Sequence, residues 1–189
     1  MSNAARRRIM IVPNPSKESM LVTRRIGGLL AGATLALLLQ AAATASAAIG
    51  DMAPDFTLPA ASGGNERLSE HRGEVVLLTF WSSRCAVCVQ QLAALSELEA
   101  TYRSAGLVTL AISVDDDMKS ATQFAKSHPA RFPLLLDRQK EVGRAYNIEQ
   151  LPTTVLIDRR GRVRFLQGDY HGTDNSYVAQ VRALLDDPL

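Results

Sequence analysis

Residues 80–92 read FWSSRCAVCVQQL, and this stretch decides the fold. It holds both cysteines of the 189-residue chain, Cys85 and Cys88, and its single tryptophan, Trp81. Just upstream, Val75 to Phe80 is a nearly unbroken apolar run, the mark of a strand buried on both faces. Downstream, Leu92, Leu95, Leu98 and Tyr102 recur at helical spacing, and Gly106 ends the pattern. The cysteines therefore sit where a buried strand hands over to a long helix.

Three readings of the pair compete. A structural staple closing so small a loop stabilises by roughly 2 kcal/mol, against about 4.7 for a 100-residue loop, and a domain of this size can bury enough core without it. A structural zinc site wants four ligands, but His71, His128 and His171 are scattered singly and no second ligand pair is present. A redox pair fits better. At a helix start the Cys85 sulfur lies near unpaired backbone N–H groups and the positive end of the dipole, and Arg84 adds a cation beside it. Both favour the thiolate, which is the nucleophile. Cys88, one turn on, lies on the same helical face, within reach to resolve a mixed disulfide.

Working outward, MAPDFTLPAASGG (52–64) reads as an edge strand and turn. LVTLAISV (107–114) is a second buried strand, followed by a helix in DDDMKSATQFAKSH (115–128) with acids at its first turn. FPLLLD (132–137) is a short strand and QKEVGRAY (139–146) a short helix. TTVLID (153–158) and RVRFLQG (162–168) form a hairpin, and SYVAQVRALL (176–185) a terminal amphipathic helix. Strands separated by helices pair in parallel and the late hairpin is antiparallel, so the class is α/β, with a central mixed sheet flanked by helices on both faces and an N-terminal β extension.

The net charge of +2 is unevenly spread: residues 1–47 carry +5 and the remainder −3. The mildly acidic body has no phosphate-binding stripe, which argues against nucleic-acid binding. The early charges belong to a targeting segment. Arg24-Arg25 precede an uncharged stretch from Ile26 to Gly50, and Ala45-Ser46-Ala47 offers an A-x-A-like cleavage site. The Ala/Ser/Thr-rich second half favours cleavage after Ala47 over an uncleaved membrane anchor. Either way the body is exported, to a compartment where disulfides persist. Met20 would start a leader of ordinary length, and Arg24-Arg25 followed by IGG makes a poor twin-arginine signal. Domain organisation is thus an extension with signal peptide over 1–47 and one domain over 48–189.

WSSRCAVC, with APDFTL before it, RGEVVLLTFW leading in and YNIEQLPTTVLIDRRGRV after it, resembles the thioredoxin-like proteins of the TlpA/ResA type, within the AhpC/TSA-redoxin-like superfamily. The resemblance covers roughly residues 50–185. It implies a thioredoxin-like fold and an exported, periplasmic thiol-disulfide oxidoreductase, in a branch often linked to cytochrome c maturation. Its cofactor is the cysteine pair itself, its partners are disulfide-bearing exported proteins, and a membrane thiol reductase recycles it. By position, Cys85 is the attacking cysteine and Cys88 the resolving one. Pro152, in LPTT, is implied to be the cis-proline facing the pair, leaving the Leu151 backbone free to pair with an extended substrate segment. The bland reading of Pro152 is an ordinary trans turn. Trp81 is implied to pack beneath the active loop.

Several positions depart from the family pattern. Arg84 stands where many members have a second tryptophan, and Ala86-Val87 separates the cysteines without a proline. Thr79 and Gln91 replace an aspartate and a glutamate that help move protons to and from the resolving thiol, and Ala93 replaces a proline. Elsewhere, Asp115, Asp116 and Asp117 read as a solvated loop capping the next helix rather than a cation site. Tyr170 covers the hairpin, and His171 reads as a surface loop histidine. Arg159, Arg160, Arg162 and Arg164 read as a solvated basic edge able to steer an acidic partner. Two alternatives stay open: a Sco-like copper-binding protein using both thiols and His171, and a peroxiredoxin-type thiol peroxidase, since APDFTL is shared with those enzymes.

Overall fold

A computed structural model describes residues 47–168, 170 and 176–187. His171 and the targeting segment expected before Ala48, up to residue 46, lie outside the described residues. The strand β3 (Val75–Trp81) forms the centre, and all seven of its residues are buried. Alternation along it sends Val75, Leu77 and Trp81 into one core and Val76, Leu78 and Phe80 into the other. It pairs in parallel with β4 (Leu107–Ser113) and antiparallel with β6 (Thr153–Ile157). Adding β5 (Leu134–Leu136), parallel to β4, and β7 (Val163–Gln167), antiparallel to β6, gives a five-stranded mixed sheet of order β5-β4-β3-β6-β7.

Helices α1 (Ala86–Tyr102), α2 (Met118–Ser127) and α4 (Ser176–Asp186) supply Leu92, Leu95, Phe124 and Val181 to the first core. The opposite face takes the short α3 (Glu141–Ala145) and the N-terminal segment, whose Phe56, Leu58 and Leu68 are buried there. The Tyr146 hydroxyl ties the two by donating to the Pro54 carbonyl at 2.9 Å. After α1, a single 3-10 turn (Arg103–Ala105) ends at Gly106, whose φ of 98° suits glycine.

The expected architecture is present, with corrections. The strand and turn expected over 52–64 are present as β1 (Thr57–Pro59) and the residues after it, but β1 is not an edge of the main sheet: it pairs in a separate hairpin with an unforeseen β2 (Asn65–Arg67), Leu58 to Glu66. The helix after β4 starts at Met118 rather than in the acidic run, because Asp117 caps it by accepting from the N–H groups of Lys119 and Ser120. Asp115 is not solvated but only 6% exposed. The arginine edge is tethered rather than freely solvated. Arg164 pairs with Asp158 at 3.0 Å, Arg159 donates to the Asp187 carbonyl at 2.7 Å, and Arg162 donates to that of Gly50 at 3.0 Å.

Candidate active site

The site is built where β3 ends. Trp81 closes the strand, fully buried against Phe124 with ring centroids 4.7 Å apart. Ser82, Ser83 and Arg84 make a turn, closed by the Cys85 N–H donating to the Ser82 carbonyl at 3.1 Å. Cys85 has extended backbone and serves as the N-cap of α1, and its Sγ accepts the Cys88 N–H at 3.1 Å. An N–H of the first helical turn, which also donates to the Cys85 carbonyl at 3.1 Å, is thus directed at this sulfur. Cys85 and Cys88 are joined by a disulfide with an S–S distance of 2.05 Å. The two ends of that bond differ in access: Cys85 is half-buried and Cys88 completely buried in the first core.

The peptide bond between Leu151 and Pro152 is cis. In the antiparallel register Thr153, the first residue of β6, faces Phe80, so Leu151 and Pro152 lead into β6 at the end of the sheet where β3 finishes. Leu151 and Arg84 line one small concavity there with Ser82 and Asp115. Arg84 is exposed, and its charge helps hold the Asp116 carboxyl below the usual carboxylate range, although the larger influence is the hydrogen bond and charge of Lys140. The fold therefore gathers Trp81, Arg84, Cys85, Cys88, Leu151 and Pro152 at one end of the sheet.

Beneath the pair, the positions without carboxylates form a neutral network. Gln91 is 2% exposed. Its Oε1 accepts from the Thr79 hydroxyl at 2.8 Å and its Nε2 donates to the Thr154 hydroxyl at 2.9 Å. The amide pins α1, one turn beyond Cys88, to both β3 and β6. Thr154 was not among the residues expected to matter. Two threonines opening a strand that continues Val-Leu-Ile are the only signal it carried. Asp115 was also misread. Its carboxylate accepts the Ser83 N–H with both oxygens, at 3.0 and 2.9 Å, together with the hydroxyls of Ser83 at 2.7 Å and Ser113 at 2.8 Å.

A cystine at a strand-to-helix junction, on a five-stranded mixed sheet with a cis-proline beside it, defines a thioredoxin-fold redox protein. Comparison with known proteins narrows the class. The profile of the AhpC/TSA family matches residues 49–166. The chain is 40% identical over 117 residues to the thiol-disulfide oxidoreductase ResA of Geobacillus kaustophilus, covering 62% of this chain and 67% of that one. Against ResA of Bacillus subtilis the identity is 32% over 114 residues, covering 60% and 64%. A Chlorobium tepidum structure assigned as a thiol:disulfide interchange protein, DsbE, superposes with a TM-score of 0.70 at 33% identity, over 74% of this chain and 99% of that one. The chain belongs to the AhpC/TSA family, as a TlpA/ResA-type thiol-disulfide oxidoreductase of the thioredoxin-like class.

Proposed function

We propose that this chain is an exported enzyme that reduces disulfides in extracytoplasmic proteins through Cys85 and Cys88. The observation that carries the reading is the unequal access of the two sulfurs. Cys85 is half-buried and capped by the Cys88 N–H, and Cys88 is sealed in the core. A protein disulfide can reach only the first, so Cys85 attacks and Cys88 resolves.

In the reduced enzyme the Cys85 thiolate attacks one sulfur of a substrate disulfide. A Cys85–substrate bond forms, the substrate S–S bond breaks, and the departing sulfur takes a proton from solvent. The substrate segment lies along Leu151 and Pro152. Cys88 then attacks Cys85, its proton passing to the departing substrate sulfur; the Cys85–substrate bond breaks, the internal disulfide re-forms and the second substrate thiol is released. Two electrons have passed from the dithiol to the substrate. A membrane thiol reductase restores them, so the working cofactor is the cysteine pair. Gln91 and the two threonines offer no carboxylate to accept the Cys88 proton. Candidate substrates are apocytochrome c and precursors of copper sites. The leader-like segment before Ala48 supports a periplasmic location, with membrane contact only through that segment if it is retained, and nucleic acid is not a partner.

Equilibration with dithiothreitol and glutathione buffers tests the direction. A potential nearer −270 than −120 mV, on the scale that thioredoxin-fold pairs span, supports a reductant, and one near −120 mV contradicts it. Copper titration of the reduced protein with and without His171→Ala, and a peroxide turnover assay, are expected to be negative; tight His171-dependent copper binding or rapid peroxide consumption would replace this reading.

A further inference from the structure

We propose that Asp115 is a positioning residue for the exchange reaction, holding the turn in front of Cys85 through its buried carboxylate. This rests on the reading of Cys85 as the attacking thiol. A carboxylate removed from water must have its oxygens filled by donors, and among the described residues no Lys, Arg or His forms an ion pair with Asp115. Among the described residues its donors come from two places. Ser113, the last residue of β4, gives its hydroxyl, and its own Oγ accepts the Asp115 N–H at 3.2 Å. Ser83 gives both its N–H and its hydroxyl. Because Ser113 is in register with Trp81, the carboxylate is anchored to the rigid sheet at the level where β3 ends. The turn it grips is also fastened from the Cys85 N–H to the Ser82 carbonyl. Fixing Ser83 therefore fixes where Cys85 enters α1 and keeps its sulfur against the Cys88 N–H.

The other charges around this turn are tied differently. Arg84 is exposed on the turn itself, Asp116 is bonded to Lys140, and Asp117 caps α2. Positioning and charge predict opposite signs for Asp115. Removing a negative charge near Cys85, with geometry kept, lowers the thiol midpoint. Releasing the turn takes the sulfur away from the helix start and raises it.

The test is the pH dependence of Cys85 alkylation by iodoacetamide in the reduced full-length protein, the modified residue being confirmed by mass. Asp115→Ala should raise the midpoint by roughly half a unit or more and slow alkylation about threefold below it. Asp115→Asn, which keeps a carbonyl acceptor for Ser83, should recover part of the shift. Ser83→Ala removes one hydroxyl bond only, and should shift the midpoint in the same direction by less; it carries the test if Asp115→Ala does not fold. An unmoved or lowered midpoint in Asp115→Ala and in Ser83→Ala overturns the inference while leaving the proposed function standing. A wild-type midpoint at the ordinary thiol value of about 8.5 overturns the inference alone, since such a thiol still exchanges through its thiolate fraction; a Cys85 that resists alkylation at every pH in the folded, reduced protein overturns the proposed function as well.

Discussion

The Gln91 amide makes a worked prediction. Gln91→Leu conserves size and apolar burial but leaves the Thr79 hydroxyl without an acceptor and the Thr154 hydroxyl without its donor, both on buried strands. A buried polar group stripped of its partner costs about 1–3 kcal/mol. Two such groups give roughly 3 kcal/mol, and the added apolar burial of leucine returns about 1. The net loss should be ~2 kcal/mol. In the triple variant Gln91→Leu/Thr79→Val/Thr154→Val the orphaned groups are gone, and replacing all partners by apolar groups can be nearly neutral. It should therefore lie within about 1 kcal/mol of wild type, far from additive. The assay is urea unfolding of the disulfide form. With a slope of about 1–3 kcal/mol per M, the single variant should lower the midpoint by roughly 1 M and the triple should restore most of it. A Gln91→Leu variant as stable as wild type, or a triple variant less stable than the single, would refute the view that this network is satisfied and shared.

Three further outcomes follow from the same contacts. Trp81→Ala removes a fully buried ring packed on Phe124 and should cost about 3–5 kcal/mol in the same unfolding assay, even with the disulfide intact. Asp158 is pushed up by burial, but the N–H groups of Arg160 and Arg162 and the Arg164 guanidinium outweigh this and hold its carboxyl below the usual range. Its stabilisation is present above the unfolded value near 3.8 and is lost as pH falls through the lower folded value. Asp158→Asn should therefore destabilise by roughly 1–2 kcal/mol at neutral pH, and thermal melts should converge with wild type in strong acid. Glu99 has the opposite sign. Burial raises its carboxyl above the ordinary value of 4.5 despite the Thr109 hydroxyl and Arg103. The native state then holds this proton more tightly than the unfolded chain, so stability declines as pH rises from about 4.5 through the folded value. Melts of Glu99→Gln should lack that decline.

What could be read from the sequence follows physical lines. Strand β3 was legible because burial on both faces leaves an apolar run, and the cysteines because their position between that strand and a periodic helix has few explanations. β2 was not, since Asn65, Glu66 and Arg67 carry no apolar alternation and form a strand only through pairing with β1. Three consecutive aspartates look alike in sequence. Their fates diverge because Ser83, 32 residues away, supplies donors to Asp115 alone, while Asp116 pairs with Lys140 and Asp117 caps α2. Thr79 and Gln91 were marked as substitutions, but the partner that completes their network, Thr154, is 63 residues beyond Gln91 and no local pattern joins them.

The division of labour between the two sulfurs is tested most directly by trapping. Reduced Cys88→Ser and Cys85→Ser proteins are exposed to the protein's own exported partners, and the covalent complexes are counted on non-reducing gels. Cys88→Ser, which keeps the accessible sulfur and lacks the resolving one, should accumulate mixed disulfides through Cys85, and Cys85→Ser should accumulate almost none. Equal trapping by the two variants, or trapping through Cys88 alone, would contradict the account.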